Sequence, residues 1–331
     1  MDLEIVFLGT SASVPTAGRA PSALLVRRGG DRLLFDCAEG TQRQLMRSSL
    51  GLPDLDQVFL THFHADHTLG LPGMLKTFAL RQRELPVTVY GPPGLRDFFG
   101  SLQRVFGRLS YPVTLEEVRA GEAIEQDGYR ILVFPVNHGV SAVGYALVED
   151  VRPGRFDVEA ADALGVPHGP ERGALQRGEP VTLPDGRVLT PDAVVGEARP
   201  GRRIVLSGDT APAETVQLLA EGADVLVHEA TFTEEERERA ADTLHSTARQ
   251  AAEIARAAGV RLLALTHVSP RHFGHELVEE AREVFPATVV PRDFDVIEVP
   301  FAERGEPRLV KAGARPERAP QPSEQLPGAP A

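Results

Sequence analysis

The sequence predicts an α+β fold in which sheets are buried between outer helices. Three observations carry this reading. Short runs rich in Val, Ile, Leu and Phe recur along the 331-residue chain, and most end at a turn signal. Helix-like runs lie between several of them, so strands dominate the first half and strand–helix alternation the second. No apolar stretch approaches the roughly 20 residues that cross a bilayer, which excludes a helical membrane span as the organising element.

The strand candidates are LEIVFLGT from Leu3, SALLVRR from Ser22, DRLLFDC from Asp31, QVFLTH from Gln57, VTVYG from Val87 and YRILVFPV from Tyr129. VGYALVE from Val143, RIVLSGDT from Arg203, DVLVHEA from Asp224, RLLALTH from Arg261 and DVIEVP from Asp295 complete the set. The helix candidates are GTQRQLMRSSL, PGLRDFFGSLQRVF, APAETVQLLAEG, STARQAAEIARAAG and HELVEEAREVF. In the fourth, Ser246 is the expected N-cap and Gly259 the expected C′ residue. Between 150 and 200 the rhythm breaks into a Pro- and Gly-rich stretch. So long an insertion in a compact domain is functional or disordered, and it is expected to form an arm projecting from the body. The expected organisation is one domain over 1–310, including the 150–200 arm, and a disordered tail over 313–331, where Pro, Ala, Glu and Gln leave little to bury.

Composition adds boundaries. The length allows a sizeable core. The N-terminus opens with acids and lacks a basic n-region, so no signal peptide is expected. Cys37 is the single cysteine. It excludes an internal disulfide framework, suits a reducing, cytoplasmic setting, and is expected as a buried core thiol. The net charge of −12 argues against nucleic acid when taken alone. Yet residues 19–47 hold six arginines against three acids, and 76–108 hold five arginines and Lys76 against two acids. The uneven charge leaves room for a basic face.

The chemistry is concentrated in THFHADH. His62, His64, Asp66 and His67 fall within six positions of a chain that has ten histidines. Imidazole and carboxylate suit zinc and similar divalent ions. A strand-to-loop transition would aim His62 and His64 the same way, as alternate residues do. A metal-free histidine cluster in the core would leave polar atoms without partners. Further candidates stand at strand ends: His138 after ILVFPVN, Asp209 after RIVLSG and His267 after LLALT. Singly each could cap a turn; together they complete a ligand set. His168, His272 and His275 lack this context and are expected at the surface.

HFHADH fits HxHxDH and so resembles the metallo-β-lactamase superfamily, whose αββα sandwich it implies here. The resemblance implies two zinc ions per subunit, with manganese as the other candidate. His62, His64 and His138 would hold one ion, Asp66, His67 and His267 the other, and Asp209 would bridge them. Hydrolases of thioesters, lactones, phosphodiesters and RNA all carry that motif. HEAT at 228–231 and HST at 245–247 narrow it, together with FLGTSASVP at 7–15, FDCAEGTQ at 35–42, GLPG at 70–73 and THVSPR at 266–271. These resemble the short form of the ribonuclease Z family over nearly all of residues 3–300.

That resemblance implies an endoribonuclease removing the 3′ trailer from precursor tRNA, with a 3′ hydroxyl left on the tRNA and a 5′ phosphate on the trailer. It implies an αββα sandwich with a protruding flexible arm. It also implies a homodimer in which the arm of one subunit clamps tRNA for the other, and no membrane partner. His245 is the expected proton donor, Glu229 its hydrogen-bond acceptor, and Asp66 a second proton carrier while ligating metal. Gly169, Pro170, Arg172 and Arg177 in the arm, with Arg19 and Arg271, are the expected substrate contacts. The sequence departs from the family's PxKxRN loop: PTAGRA keeps Pro15 and Arg19 but has Ala17 and Ala20 in place of Lys and Asn. The rival reading is a phosphodiesterase for small molecules on the same dinuclear site.

Overall fold

The structure is a computed structural model and describes residues 2–48, 51–52 and 55–313. The expected tail, Gly313 apart, lies outside the described residues. The chain forms two compact units. The larger comprises residues 1–124, 131–147 and 203–331; the smaller comprises 125–130 and 148–202.

Two sheets organise the larger unit. The first has eight strands among the described residues, in the order Arg308–Val310, Val296–Glu298, Leu3–Gly9, Ala23–Arg28, Asp31–Phe35, Gln57–Phe59, Val87–Gly91 and Val113–Glu117. The second runs Thr288–Val289, Leu262–Thr266, Val225–Glu229, Arg203–Leu206, Val143–Glu149, Tyr129–Pro135 and Ala123–Gln126. Each of the eleven expected strands is present. The sequence reading missed Val113–Glu117 for a physical reason: it pairs on one side only and alternates half-buried with exposed residues, so its apolar signal is weak.

An aromatic seam joins the sheets. The Tyr145 ring lies 5.6 Å from both Phe35 and Phe59, and the Phe35 and Phe59 rings stack at 4.9 Å. Tyr145 is fully buried, and its hydroxyl donates to the Leu60 carbonyl at 2.8 Å. Deleting a core aromatic ring costs roughly 3–5 kcal/mol, so this seam is a main support of the sandwich. Helices Thr41–Arg47, Gly70–Leu80 and Leu95–Phe106 share one apolar cluster with the first sheet. Helices Glu214–Ala220, Ala248–Ala258 and Gly274–Arg282 cover the second. The expected αββα layering is therefore present.

Helix Gly70–Leu80 was not expected. Its opening, GLPG, reads as a turn, yet Pro72 is tolerated in a first turn because the amide it lacks has no helical partner there. Gly70 is required by close approach: a Cβ at this position would lie 1.9 Å from the Ala38 carbonyl oxygen. Another correction concerns the helix after HST. Its N-cap is Thr247, in a capping box with Gln250, and not Ser246. The Ser246 hydroxyl instead donates to the Thr210 carbonyl at 2.7 Å. Gly259 ends that helix with φ +63°, as expected. Cys37 is fully buried, and burial pushes its thiol well above the ordinary range.

The smaller unit is folded in its own right. Helices Val158–Ala163 and Pro170–Gln176 and the hairpin Val181–Thr182/Val188–Leu189 enclose a core of Ala161, Val166, Leu175, Val181, Leu183 and Val194. The unit also holds a buried ion pair, with Arg202 Nε and Nη2 donating to Glu149 at 2.7 and 2.8 Å.

Candidate metal centre

Parallel pairing explains where the site forms. Strands Asp31–Phe35, Gln57–Phe59 and Val87–Gly91 run parallel in one sheet. Arg203–Leu206, Val225–Glu229 and Leu262–Thr266 do so in the other. Parallel strands release their following residues at one edge, where ligand sites of such sheets lie. Asp36, His62, Asp209, Glu229 and His267 all stand at or just beyond those carboxyl ends. Helix Ala65–Thr68 then carries Asp66 and His67 on one turn.

All seven expected ligands come together. Nitrogen atoms of His62, His64 and His138 converge: His62 Nε2 is 2.9 Å, and His138 Nε2 3.2 Å, from His64 Nδ1. Asp66, His67 and His267 form a second group, with His267 Nε2 3.3 Å and His67 Nε2 3.8 Å from Asp66 Oδ2. Asp209 Oδ2 reaches both groups, at 3.3 Å from His67 and His267 and 3.9 Å from His62.

The outer nitrogens show why these atoms converge. Asp36 accepts from His67 Nδ1 at 2.7 Å and from the Thr61 hydroxyl. That hydroxyl in turn meets His62 Nδ1 at 3.0 Å. Thr231 meets His267 Nδ1 at 2.9 Å while donating to Glu229 at 2.7 Å. The Leu244 carbonyl lies 3.2 Å from His138 Nδ1. With Nδ1 held from outside, each of these four rings turns its Nε2 inward, the arrangement that metal-binding imidazoles use. His64 is the exception and offers Nδ1.

This donor set fits a divalent cation. Buried His67 Nε2 has no hydrogen-bond partner among the described residues, and three imidazole acceptors meeting at one point repel unless a cation joins them. Burial, and after it His67, holds His62 well below its ordinary pKa, so the ring is neutral. Burial and then His138 lower His64. His67 goes the other way: burial would lower it, but Asp209 and Asp36 outweigh that and raise it well above. Burial opposes ionisation of Asp209, yet His267 and His67 hold its carboxylate well below the usual range.

Backbone strain gathers here. Asp36, Leu244 and His267 take positive φ near +57°, a cost of roughly 1–3 kcal/mol each in non-glycine residues that surrounding contacts must offset. Gly208, beside Asp209, has φ +64°, and a Cβ there would press on Thr61 at 3.1 Å.

His245 borders the centre. Its Nδ1 is 2.7 Å from Glu229 Oε1, and its ring stacks on His267 at 5.4 Å. Burial lowers its pKa, but the Glu229 carboxylate outweighs burial and pushes it up to about 9. Glu229 is buried and also accepts from the amides of Thr210, Thr231 and Ser246.

Asp36, Thr61 and Thr231 were missed as functional residues. Asp36 shares the strand-end signal that marked Asp209. Thr231 closes HEAT but has no chemical signature of its own. The Leu244 carbonyl has no sequence signal at all. His272 is a correction: it is not a free surface residue, since its Nε2 lies 2.6 Å from Glu236 and its side chain is 12% exposed. His168 and His275 are exposed, as expected.

The expected substrate contacts do not gather in this centre. Arg19 donates through Nη1 to Thr10 and the Pro291 carbonyl at 2.6 and 2.8 Å. Arg172 departs most from expectation: it staples the smaller unit, pairing with Asp162 and donating to the carbonyls of Val166 and Pro167. Its guanidinium is therefore held within its own unit. Arg177 pairs with Glu179, and Arg271 with Glu236, in exposed positions. Gly169 and Pro170 open helix Pro170–Gln176.

Comparison with known proteins settles the family. A metallo-β-lactamase superfamily model matches residues 16–152, and a β-lactamase superfamily domain model matches 193–268. A ribonuclease Z of Myxococcus xanthus is 48% identical over 305 residues, covering 91% of this chain and 99% of that protein. The chain belongs to the ribonuclease Z family. A Haloferax volcanii ribonuclease Z is likewise 48% identical, over 92% of this chain and 97% of its own length. The crystal structure of human tRNase Z, short form, matches with a TM-score of 0.65 at 26% identity, covering 90% of this chain and 99% of that chain. The fold is thus that of ribonuclease Z, and its His/Asp centre is of the kind that binds divalent metal.

Proposed function

We propose that the protein is a metal-dependent endoribonuclease that removes the 3′ trailer from precursor tRNA. The observation that carries it is the His245–Glu229 pair beside the seven-residue donor set, in a chain of the ribonuclease Z family. The donor set alone serves many hydrolases. A fixed proton donor beside it is what cleavage at a ribose 3′ oxygen needs. His62, His64 and His138 would hold one zinc ion, Asp66, His67 and His267 a second, with Asp209 between them; manganese is the alternative metal. Ions bound there would supply Lewis-acid neutralisation of phosphate charge and activation of water.

The chain's own residues do the rest. Asp36, Thr61 and Thr231 fix the imidazole tautomers. Glu229 holds Nδ1–H of His245, leaving the other ring nitrogen to protonate the departing 3′ oxygen. Asp66 accepts from the Ser13 amide at 2.7 Å, which ties the loop after the first strand to the centre. The products are tRNA with a 3′ hydroxyl and a trailer with a 5′ phosphate. The reading extends to one domain over 1–310, a tRNA-binding role for the arm, a homodimer, and a cytoplasmic enzyme. Family membership and the single buried cysteine support these extensions. A small-molecule phosphodiesterase has no need of the folded insertion at 148–202.

The test is incubation of metal-loaded protein with a 3′-extended pre-tRNA, mapping both product ends, with His64→Ala alongside. A single cut near the CCA position, absent in His64→Ala, is expected. Hydrolysis of a small phosphodiester with no cut in pre-tRNA would overturn the reading. The mapped end also shows how the Ala17 and Ala20 loop affects the cut position.

A further inference from the structure

We propose that a cavity of about 550 Å³ bordered by Arg19, Arg282, Arg292 and Lys311 is a second anion site, built for a phosphate-bearing ligand. It shares no residue with the metal centre. Its volume falls within the roughly 300–1,000 Å³ of small-molecule sites.

The charge arrangement is the argument. Two acids, Asp293 and Asp295, also line the cavity and offset part of the positive charge, above all at Arg19, but their oxygens already accept hydrogen bonds inside the protein. Asp293 accepts from the Ala20 amide at 2.7 Å and from Thr10 and Gln44, each at 2.9 Å. Asp295 accepts from the amides of Arg292 and Ala312 at 2.9 and 2.8 Å. The cations are not so committed. The side chains of Arg292 and Lys311 make no hydrogen bond or ion pair among the described residues. Arg282 engages only Nε, with the Thr288 carbonyl at 3.0 Å. Arg19 engages only Nη1; its Nη2 lies over Gly274, where a Cβ would come within 2.9 Å of it. Guanidinium and ammonium groups without an ion-pair partner among the described residues are thus gathered at one cavity of a chain whose net charge is −12.

Two further features suit phosphate. Gly274 and His275 border the cavity at the N-terminus of the nine-residue helix Gly274–Arg282, whose dipole favours anions and where the Glu276 carboxylate takes only the Phe273 amide. Arginine forks match phosphate oxygens two at a time. The phosphate has two possible sources, a free nucleotide or the backbone of an RNA already on the enzyme. The second source rests on the proposed function; the first does not.

Isothermal titration of the full-length, metal-loaded protein with cytidine 3′,5′-bisphosphate tests the site, and the double variant Arg292→Glu/Lys311→Glu is the comparison. Metal content and hydrolysis of a small phosphodiester report that the variant is folded. The milder Arg292→Gln/Lys311→Gln replaces it if it is not. The expected result is at least roughly tenfold weaker bisphosphate binding in the variant, from losing two phosphate-facing charges. A severalfold rise in KM for pre-tRNA, with kcat unchanged, assigns the site to RNA phosphates and supports it even if the bisphosphate alone binds poorly. Unchanged KM with weakened bisphosphate binding assigns it to a free nucleotide. Equal bisphosphate affinity in both proteins, or no binding to either, together with unchanged KM, overturns the proposal. The bisphosphate measurement needs no RNA cleavage, so it stands or falls apart from the proposed function.

Discussion

The metal centre and the inserted unit at 148–202 handle charge in opposite ways. In the centre, most of the charged and polar donors are buried, and four of the five imidazoles are fixed by a named partner: Asp36, Thr61, Thr231 or the Leu244 carbonyl. In the insertion, a small apolar core does the holding, and charges such as the Arg177–Glu179 pair lie in solvent. Exposed pairs of this sort contribute roughly 0–1 kcal/mol, whereas a buried group stripped of its partner costs several times more. The difference teaches that single substitutions should disable the centre, while the insertion should respond only to removal as a unit.

The sharpest break of that contrast is at the proposed proton donor, His245. His245→Ala should retain bound metal and lower the rate of pre-tRNA cleavage by roughly 10²–10⁴-fold, the range of general acid catalysis. Glu229→Gln should fall in the same direction. Single-turnover rates measured beside metal content check this, and near wild-type turnover in His245→Ala would reduce the pair to a structural hydrogen bond.

Asp36→Asn probes the outer layer. Asp36 touches His67 and Thr61 but belongs to neither donor group. Loss of such a partner costs about 10–100-fold in metal affinity or activity. Competition with a chromophoric chelator reads the affinity. An unchanged value would show that the imidazoles hold their orientation without it.

The insertion should give the smallest effect per residue. Deleting residues 155–190 should weaken pre-tRNA cleavage by about tenfold or more, equivalent to about 1.4 kcal/mol of lost binding, while sparing a small phosphodiester. Arg177→Ala should barely register, because its ion pair is exposed. Equal loss on both substrates after the deletion would mean that the insertion supports the catalytic unit and does not serve RNA.

Much of this site was legible in the sequence because its chemistry is local. HFHADH names four donors, and apolar runs that end in His or Asp name His138, Asp209 and His267. The supporting shell was less legible. Asp36 carries the same strand-end signal as Asp209, yet its role depends on lying 2.7 Å from His67, 31 positions away. Thr231 and the Leu244 carbonyl have no chemistry that a sequence displays. The surroundings of the arginines were not legible either. A guanidinium in a Gly- and Pro-rich insertion reads as a phosphate ligand, and that Arg172 has three acceptors inside its own unit shows only in the structure.

Taken alone, the sequence determined eleven of the strands, five of the helices and the seven clustered His and Asp donors, because periodicity and residue chemistry are written locally. Tertiary structure decided which nitrogen each histidine turns inward, which hydroxyls and carboxylates hold the rings, which arginines are already paired, and where basic side chains collect around one cavity. Those outcomes depend on distances between residues far apart in the chain, and pairing of parallel strands at a shared edge sets those distances only when the sheets assemble.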